Sequence, residues 1–158
     1  MSQIAFTTIA ATQAALIRSL VLLAAVPVIA SDGHQHPEIE EALRQGGVAI
    51  EVFPPINAGI TSQSGSRQAG NQLHMWLENV VQLKINHRRN NAGDGDQIDV
   101  QDALVQILQA VLGYQAKNGE SLWTVDPQST FGLTSIDAGT WTYDIAFRKS
   151  IVITPRSS

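Results

Sequence analysis

An apolar run near the N-terminus, IRSLVLLAAVPVIASDG at residues 17–33, restricts the possible folds most strongly. Arg18 and Pro27 shorten the run to well below the roughly 20 apolar residues of a membrane-spanning helix. Small residues before Ser31 fit the cleavage site of a secretion signal, but such signals begin with a short positive region, and no Lys or Arg precedes Arg18. We therefore expect the run to be retained within a folded domain. An exported binding domain cleaved after residue 30 is the alternative.

The same run predicts a buried helix followed by a short strand. Apolar residues at helical spacing predict a helix over residues 8–25, with one face formed by Ile9, Leu16, Ile17, Leu20 and Leu23. Pro27 disfavours the helical conformation at Val26, so residues 26–29 are expected to be extended.

A second, short helix and a strand are expected next. PEIEEALRQ starts with Pro37 at a first helical position, and Gly46 is expected to end the helix in the left-handed conformation. In VAIEVFPP the β-branched residues Val48, Ile50 and Val52 fall on one face, which predicts a strand ended by Pro54 and Pro55.

Residues 56–72, INAGITSQSGSRQAGNQ, show no useful periodicity and carry a single charge. Loops of this length are uncommon inside compact domains. We expect a long polar arm at about residues 54–73 that becomes ordered against a partner.

The second half predicts two strands flanking a helix, and a closing hairpin. Alternation predicts a strand over residues 74–87, and a helix that begins at Asp99 and Asp102 is expected to end near residues 117–119. The apolar stripe of this helix consists of Leu104, Ile107, Leu108, Val111 and Leu112. A turn at residues 137–139 is expected to join strands at 130–136 and 140–154, the latter with one face formed by Trp141, Tyr143, Ile145 and Phe147.

This element order predicts one α+β domain over residues 1–158. A mixed or antiparallel β-sheet would pack against the N-terminal helix and one long amphipathic helix. Hydrophobic residues make up 44% of the chain, so the domain can bury a core, whereas only 15% are charged. A net charge of −4 gives no general attraction to nucleic acid, and the absence of cysteine excludes disulfides and thiolate sites. Low charge is typical of surfaces covered by neighbouring subunits.

Histidines form the strongest metal-like pattern. His34 and His36 lie near Asp32 and Glu38, and His74 or His87 could complete a zinc site. A small metal-dependent enzyme using His34 and His36 is therefore a second alternative, although two-histidine spacing alone is a weak signal and favours an exposed turn before a helix.

Acidic and basic clusters have simpler explanations. Asp94, Asp96, Asp99 and Asp102 resemble the start of a calcium loop, but Val105 occupies the place of its bidentate Glu. Helix capping explains Asp99 and Asp102. His87, Arg88 and Arg89 form a local basic spot that is typical of a solvated turn. Because no nucleophile elbow or phosphate-binding loop occurs, we expect no catalytic residue, no metal and no cofactor.

Five segments together resemble the tail terminator, or tail completion, proteins of tailed bacteriophages. They are ATQAALIRSL, GGVAIEVFPP, WLENVVQLKINHRRN, VQDALVQILQAVLGY and TWTYDIAFRKSIVI, which span most of the chain. The resemblance lies in the order and character of the elements, because this family has no sharp motif.

The resemblance implies a structural virion protein in the neck of the tail, assembled in the host cytoplasm. Such proteins form a ring, usually a hexamer, that caps the tail tube, stops its polymerisation and joins it to a head-side connector or stopper. The implied partners are further copies, tail tube protein and connector, with DNA only in passage and no membrane. We hypothesise an assembly interface and an acidic turn facing the channel; the interface residues are Ile56, Ile60, Arg67, Trp76, Arg88 and Arg89, and the turn residues are Asp94, Asp96 and Asp99.

Overall fold

A computed structural model describes residues 6–31, 36–66, 70–92, 97–112, 114, 123–125 and 131–153. Within these ranges the helices are α1 (Phe6–Arg18), a 3-10 helix (Val21–Leu23), α2 (Pro37–Gln45), α3 (His87–Asn91) and α4 (Val100–Leu112). The strands are β1 (Val28–Ala30), β2 (Val48–Val52), β3 (Asn57–Ser66), β4 (Gly70–Asn86), β5 (Thr124–Val125), β6 (Phe131–Asp137) and β7 (Thr140–Ile153).

All seven strands belong to one mixed sheet built around β4 and β7. These two strands are antiparallel along the whole of β7, from Asn86 opposite Thr140 to Leu73 opposite Ile153. The outer edge of β4 pairs with β2 and then β3, and that of β7 with β6 and then β5. Only β1 is parallel to its neighbour, β2.

Helices cover both faces of one end of the sheet. One face packs against α1 and α4, and alternating positions of β2, β4 and β7 supply its core residues, including Ile50, Leu83 and Phe147. Helix α2 packs on the other face, where Ile39 and Ala42 contact Ala49. The predicted α+β class, with a mixed sheet against an N-terminal helix and a long amphipathic helix, is confirmed.

The apolar N-terminal run belongs to this core, but it is not one continuous helix. The prediction of a helix over residues 8–25 is confirmed as far as Arg18 and was wrong beyond it, because α1 ends there and a 3-10 helix follows. The Arg18 side chain turns to β1 and donates through Nε and Nη2 to the Val28 carbonyl, at 2.9 and 2.6 Å. Ile17, Leu23 and Val28 are buried.

The segment predicted to be an aperiodic arm is largely a strand. β3 pairs with β4 from Asn57 opposite Glu78 to Ser66 opposite Gly70. The prediction of an arm was wrong because the Gly, Ser and Gln residues of this segment have weak strand propensity. Pairing with the long strand β4 supplies the backbone hydrogen bonds that make it a strand. The segment thus forms one side of a long polar hairpin.

Helix boundaries differ from the predictions at three points. Gly47, with φ of 81°, adopts the left-handed conformation expected at Gly46, whose φ is −99°. Helix α4 ends at Leu112 rather than near residues 117–119. The expected charged turn after β4 begins as a one-turn helix, α3, because Asn86 Oδ1 accepts a hydrogen bond from the Arg89 backbone N–H at 3.2 Å.

Candidate assembly surface

The sheet continues past the helices as a three-stranded sheet extension. We define this extension as β3, residues 70–78 of β4 and residues 148–153 of β7. Register places Ile60, Met75 and Ile151 side by side across the three strands. Beyond Leu77, which is buried, the helix-side face of β4 is no longer fully covered.

The helix-side face of the sheet extension carries a row of apolar side chains, with Lys149 of β7 beside Leu77 on the same face. Side chains two residues apart on a strand share a face, so the row of Ile60, Met75 and Ile151 continues that of Leu77. Ile60 is 65% exposed and Ile153, which follows on the same face, is 44% exposed. Large apolar side chains clustered at an exposed sheet surface are typical of interaction sites.

The opposite face of the sheet extension holds a paired polar cluster around Trp76 and also the exposed apolar side chain of Val152. Arg148 lies with its guanidinium carbon 4.1 Å from the centre of the Trp76 ring, and its Nη2 lies 3.3 Å from Glu78 Oε2. Gly59 lies against the same ring, and a Cβ there would come within 2.7 Å of it. Trp76, predicted at an assembly interface, therefore takes part in an intramolecular cluster and faces away from Ile60.

The segment between β2 and β3 stays hydrogen-bonded to β4 on either side of Pro54 and Pro55. The backbone N–H groups of Phe53 and Ile56 donate to the carbonyls of Val80 and Glu78, each at 2.9 Å. The Ile56 side chain, also predicted at the interface, is 56% exposed. Arg67 lies outside the described residues.

Two other predicted interface residues lie at the opposite end of β4. Arg88 and Arg89 are exposed on α3, and Arg89 borders a shallow groove with Gln45 and Val26. At about 3.3 Å per strand residue, α3 is roughly 30 Å from Trp76. The structure therefore groups Ile56, Ile60 and Trp76, on two faces, and separates both arginines from them.

The predicted acidic turn is described only at its end. Asp99 Oδ1 accepts a hydrogen bond from the Asp102 backbone N–H at 3.0 Å, so Asp99 caps α4. This confirms the simpler explanation of Asp99. Asp94 and Asp96 lie outside the described residues.

The described histidines are widely separated. His36 precedes α2 with its Nδ1 3.9 Å from Glu38 Oε2, and the His87 ring meets the Trp141 ring edge-on with centroids 4.9 Å apart. His74 lies in the sheet extension, about 40 Å along β4 from His87. Over the described ranges no three His, Asp or Glu residues form a group that could hold a metal ion. His34 and Asp32 are not among those ranges.

A buried amide pair, which the sequence patterns did not predict, joins α1 to the sheet. Gln13 and Asn79 are fully buried; Gln13 Nε2 donates to Asn79 Oδ1 at 3.1 Å, and Asn79 Nδ2 donates to Gln13 Oε1. Asn79 also donates to the Phe53 carbonyl at 3.2 Å. The available signal was a polar residue at an apolar position, since Asn79 interrupts the row from Leu77 to Val81.

A second polar cluster occupies the α2 side of the sheet between β2 and β7. Lys84 Nζ lies 3.4 Å from Glu51 Oε2, and Asp144 lies nearby in β7. Burial raises the pKa of Asp144, while contacts from Thr134 and Gln82 and the charge of Lys84 oppose the shift. One Asp144 oxygen, Oδ1, is buried without a hydrogen-bond partner.

Comparison with protein-family models and with curated protein sequences found no match to this chain. In the described part of the chain, no helix combines the length and apolarity needed to cross a membrane.

Proposed function

We propose that this protein is a structural subunit of a tailed-phage neck, which forms a ring that caps the tail tube, stops its polymerisation and joins it to the head connector. The observation that carries the proposal is the sheet extension, whose apolar helix-side face is exposed at Ile60 and Ile153. This surface suits contact with another protein better than contact with a small ligand.

The fold class agrees with the resemblance that suggested this function. The five segments that carry the resemblance correspond to α1, β2, β4 with α3, α4 and β7. They form the central sheet and the helices on one of its faces. A sheet held rigid at one end by helices can present its other end to neighbouring subunits.

In the proposed ring, the partners are further copies, usually six in all, tail tube protein below and a connector or stopper above. DNA only passes through the channel. The proposal assigns no catalytic residue, metal or cofactor, and places the protein in the virion.

The test is tail-tube assembly in vitro. Purified tube protein should polymerise without limit when alone, and addition of this chain should stop growth and leave a ring at one tube end in negative-stain micrographs. The surface control is Val105→Lys, at an exposed position on α4 outside the sheet extension, and this variant should stop tube growth as the unchanged chain does. Unchanged tube growth and bare tube ends at saturating protein would contradict the proposal.

A further inference from the structure

Exposed large apolar side chains concentrate at two places in the described part of the chain. One place is the sheet extension with the residue just before it, where the exposed side chains are Ile56, Ile60, Val152 and Ile153. The other is β6, where Leu133 is 44% exposed and Ile136 is 58% exposed. Val105 on α4 is exposed as well. Clustered exposure of this kind is typical of surfaces that contact another protein.

The β6 patch, defined as Leu133 and Ile136, belongs to the helix-side face of the sheet. Leu133 is opposite Tyr143 and Ile136 is opposite Trp141. Both aromatic side chains pack against the core on that face and stay half-buried. The β6 patch thus extends an apolar surface that already includes two aromatic rings, and aromatic side chains are enriched where proteins contact one another.

The β6 patch and the sheet extension lie at opposite corners of the sheet. β3 pairs with the outer edge of β4, whereas β6 pairs with the outer edge of β7. Ile60 is level with Met75, and Ile136 is level with Ile85, ten residues further along β4. The two surfaces are therefore about 33 Å apart along the strands and three strand spacings, about 14 Å, apart across them. A contact between them can form only between different copies.

The two surfaces can be buried against each other without burying a charge. Residues 57–66 contain no charged residue, and β6 has only Asp137, its last residue. Lys149 lies beside Leu77, at the margin of the sheet extension nearest the helices. Charged residues are depleted at the centre of subunit interfaces, because a buried unpaired charge is costly. The occupant that fits each surface is therefore a second copy of this chain.

We infer that copies associate head to tail, with the sheet extension of each copy packed against the β6 patch of the next. This inference rests on the proposed ring. A contact between two different surfaces forms a closed ring when the rotation from copy to copy closes. A contact between two sheet extensions would leave the β6 patch of each copy exposed, whereas the head-to-tail contact covers both surfaces of every copy.

Thiol cross-linking tests this contact directly, because the chain has no native cysteine. The double variant Ile60→Cys/Ile136→Cys, treated with a short bismaleimide, should give a ladder of covalent oligomers up to the mass of the ring. Each single variant should remain a single chain in denaturing gels. The matched control is Ile60→Cys/Glu40→Cys, which should give no ladder, since Glu40 is exposed on α2, on the other face of the sheet.

Mixing two blocked variants distinguishes a head-to-tail contact from other contacts. Ile60→Lys places a charge in the sheet extension and Ile136→Lys places one in the β6 patch, so each variant alone should associate at least tenfold more weakly than the native chain. Their mixture retains one intact pair of surfaces, so light scattering should show a complex of two copies and nothing larger. Val105→Lys is the control and should form the native oligomer. All three positions are exposed, so circular dichroism should show the native fold in each variant.

The possible failures are distinct. An oligomer whose Ile60→Cys/Ile136→Cys variant gives no ladder, or blocked variants whose mixture keeps the mass of one chain, would overturn the head-to-tail contact and leave the proposed ring standing. A native chain that stays monomeric at all concentrations and beside tail tube protein would overturn both.

Discussion

At the residue scale, the least expected feature is the amide pair of Gln13 and Asn79. Two fully buried polar side chains are compatible with a stable core because each donates to the other, and Asn79 also binds the Phe53 carbonyl. Alternation along β4 was predicted correctly on both sides of Asn79. A pairing between residues 66 positions apart depends on tertiary packing, so sequence periodicity could not reveal it.

Breaking this pair should destabilise the fold. Asn79→Ala leaves the buried Gln13 amide without its partner, so the free energy of unfolding should fall by about 1–3 kcal/mol. Asn91→Ala, at an exposed position of α3, is the control and should change it by less than about 0.5 kcal/mol. Urea unfolding measures both, and equal effects would show that the pair adds nothing.

Asp144 should make stability depend on pH. Because burial raises its pKa, the folded protein holds this proton more tightly than the unfolded chain does. The free energy of unfolding should therefore fall as pH rises from the ordinary range of Asp through the raised pKa. Asp144→Asn removes this loss, so the variant should gain stability relative to the native chain across that interval.

Urea unfolding of both proteins between about pH 4 and pH 7 measures this difference. Glu51 and Lys84 are the charged groups nearby and are unchanged in the variant. Asp137→Asn, at the exposed last residue of β6, is the control. A stability difference between Asp144→Asn and the native chain that stays constant with pH would contradict this account.

At the element scale, strong local patterns predicted α2, β2, the core of β4, α4 and the final hairpin. The two-residue turn of Ala138 and Gly139, with φ of 50° and 82°, is the turn that the sequence indicated. The β3 strand was missed because most of its residues have little strand propensity. What holds it is its pairing with β4, which the residues of β3 do not show by themselves.

The packing of β3 should depend on Gly59. Gly59→Ala would place a methyl group against the Trp76 ring, so the ring must shift from its present position over the Arg148 guanidinium. We expect a loss of about 1–3 kcal/mol in the free energy of unfolding and a shift in tryptophan fluorescence. Gly46→Ala, where the nearest atom is 3.8 Å from the added Cβ, is the control and should change neither. Native fluorescence in Gly59→Ala would show that the strand accommodates a side chain.

At the scale of the whole molecule, the apolar N-terminal run supplies part of the core. A chain starting at Ser31 would lack α1, the 3-10 helix and β1, and with them Ile17, Leu23 and Val28. We expect this deletion variant to lose cooperative unfolding and to expose apolar surface. A deletion variant that unfolds cooperatively, with the thermal midpoint of the full chain, would instead favour the exported-domain alternative.

The two ends of the sheet differ in character, and this difference underlies the proposed assembly. One end is covered by helices on both faces, whereas the sheet extension has exposed apolar side chains. The predicted interface residues Ile56 and Ile60 lie at the free end. Arg88 and Arg89, by contrast, lie at the covered end. They directly follow β4 in sequence, and this did not show how far they lie from the hairpin of β3 and β4.

The most direct test of ring assembly is the native mass of the full-length protein. Light scattering of the protein alone, across a range of concentrations, should show one closed oligomer of fixed mass, and with tail tube protein the oligomer should be found bound to tubes. The Ile60→Lys variant should shift toward the single chain. A mass equal to that of one chain under every condition would contradict the account, as would an oligomer that keeps growing with concentration.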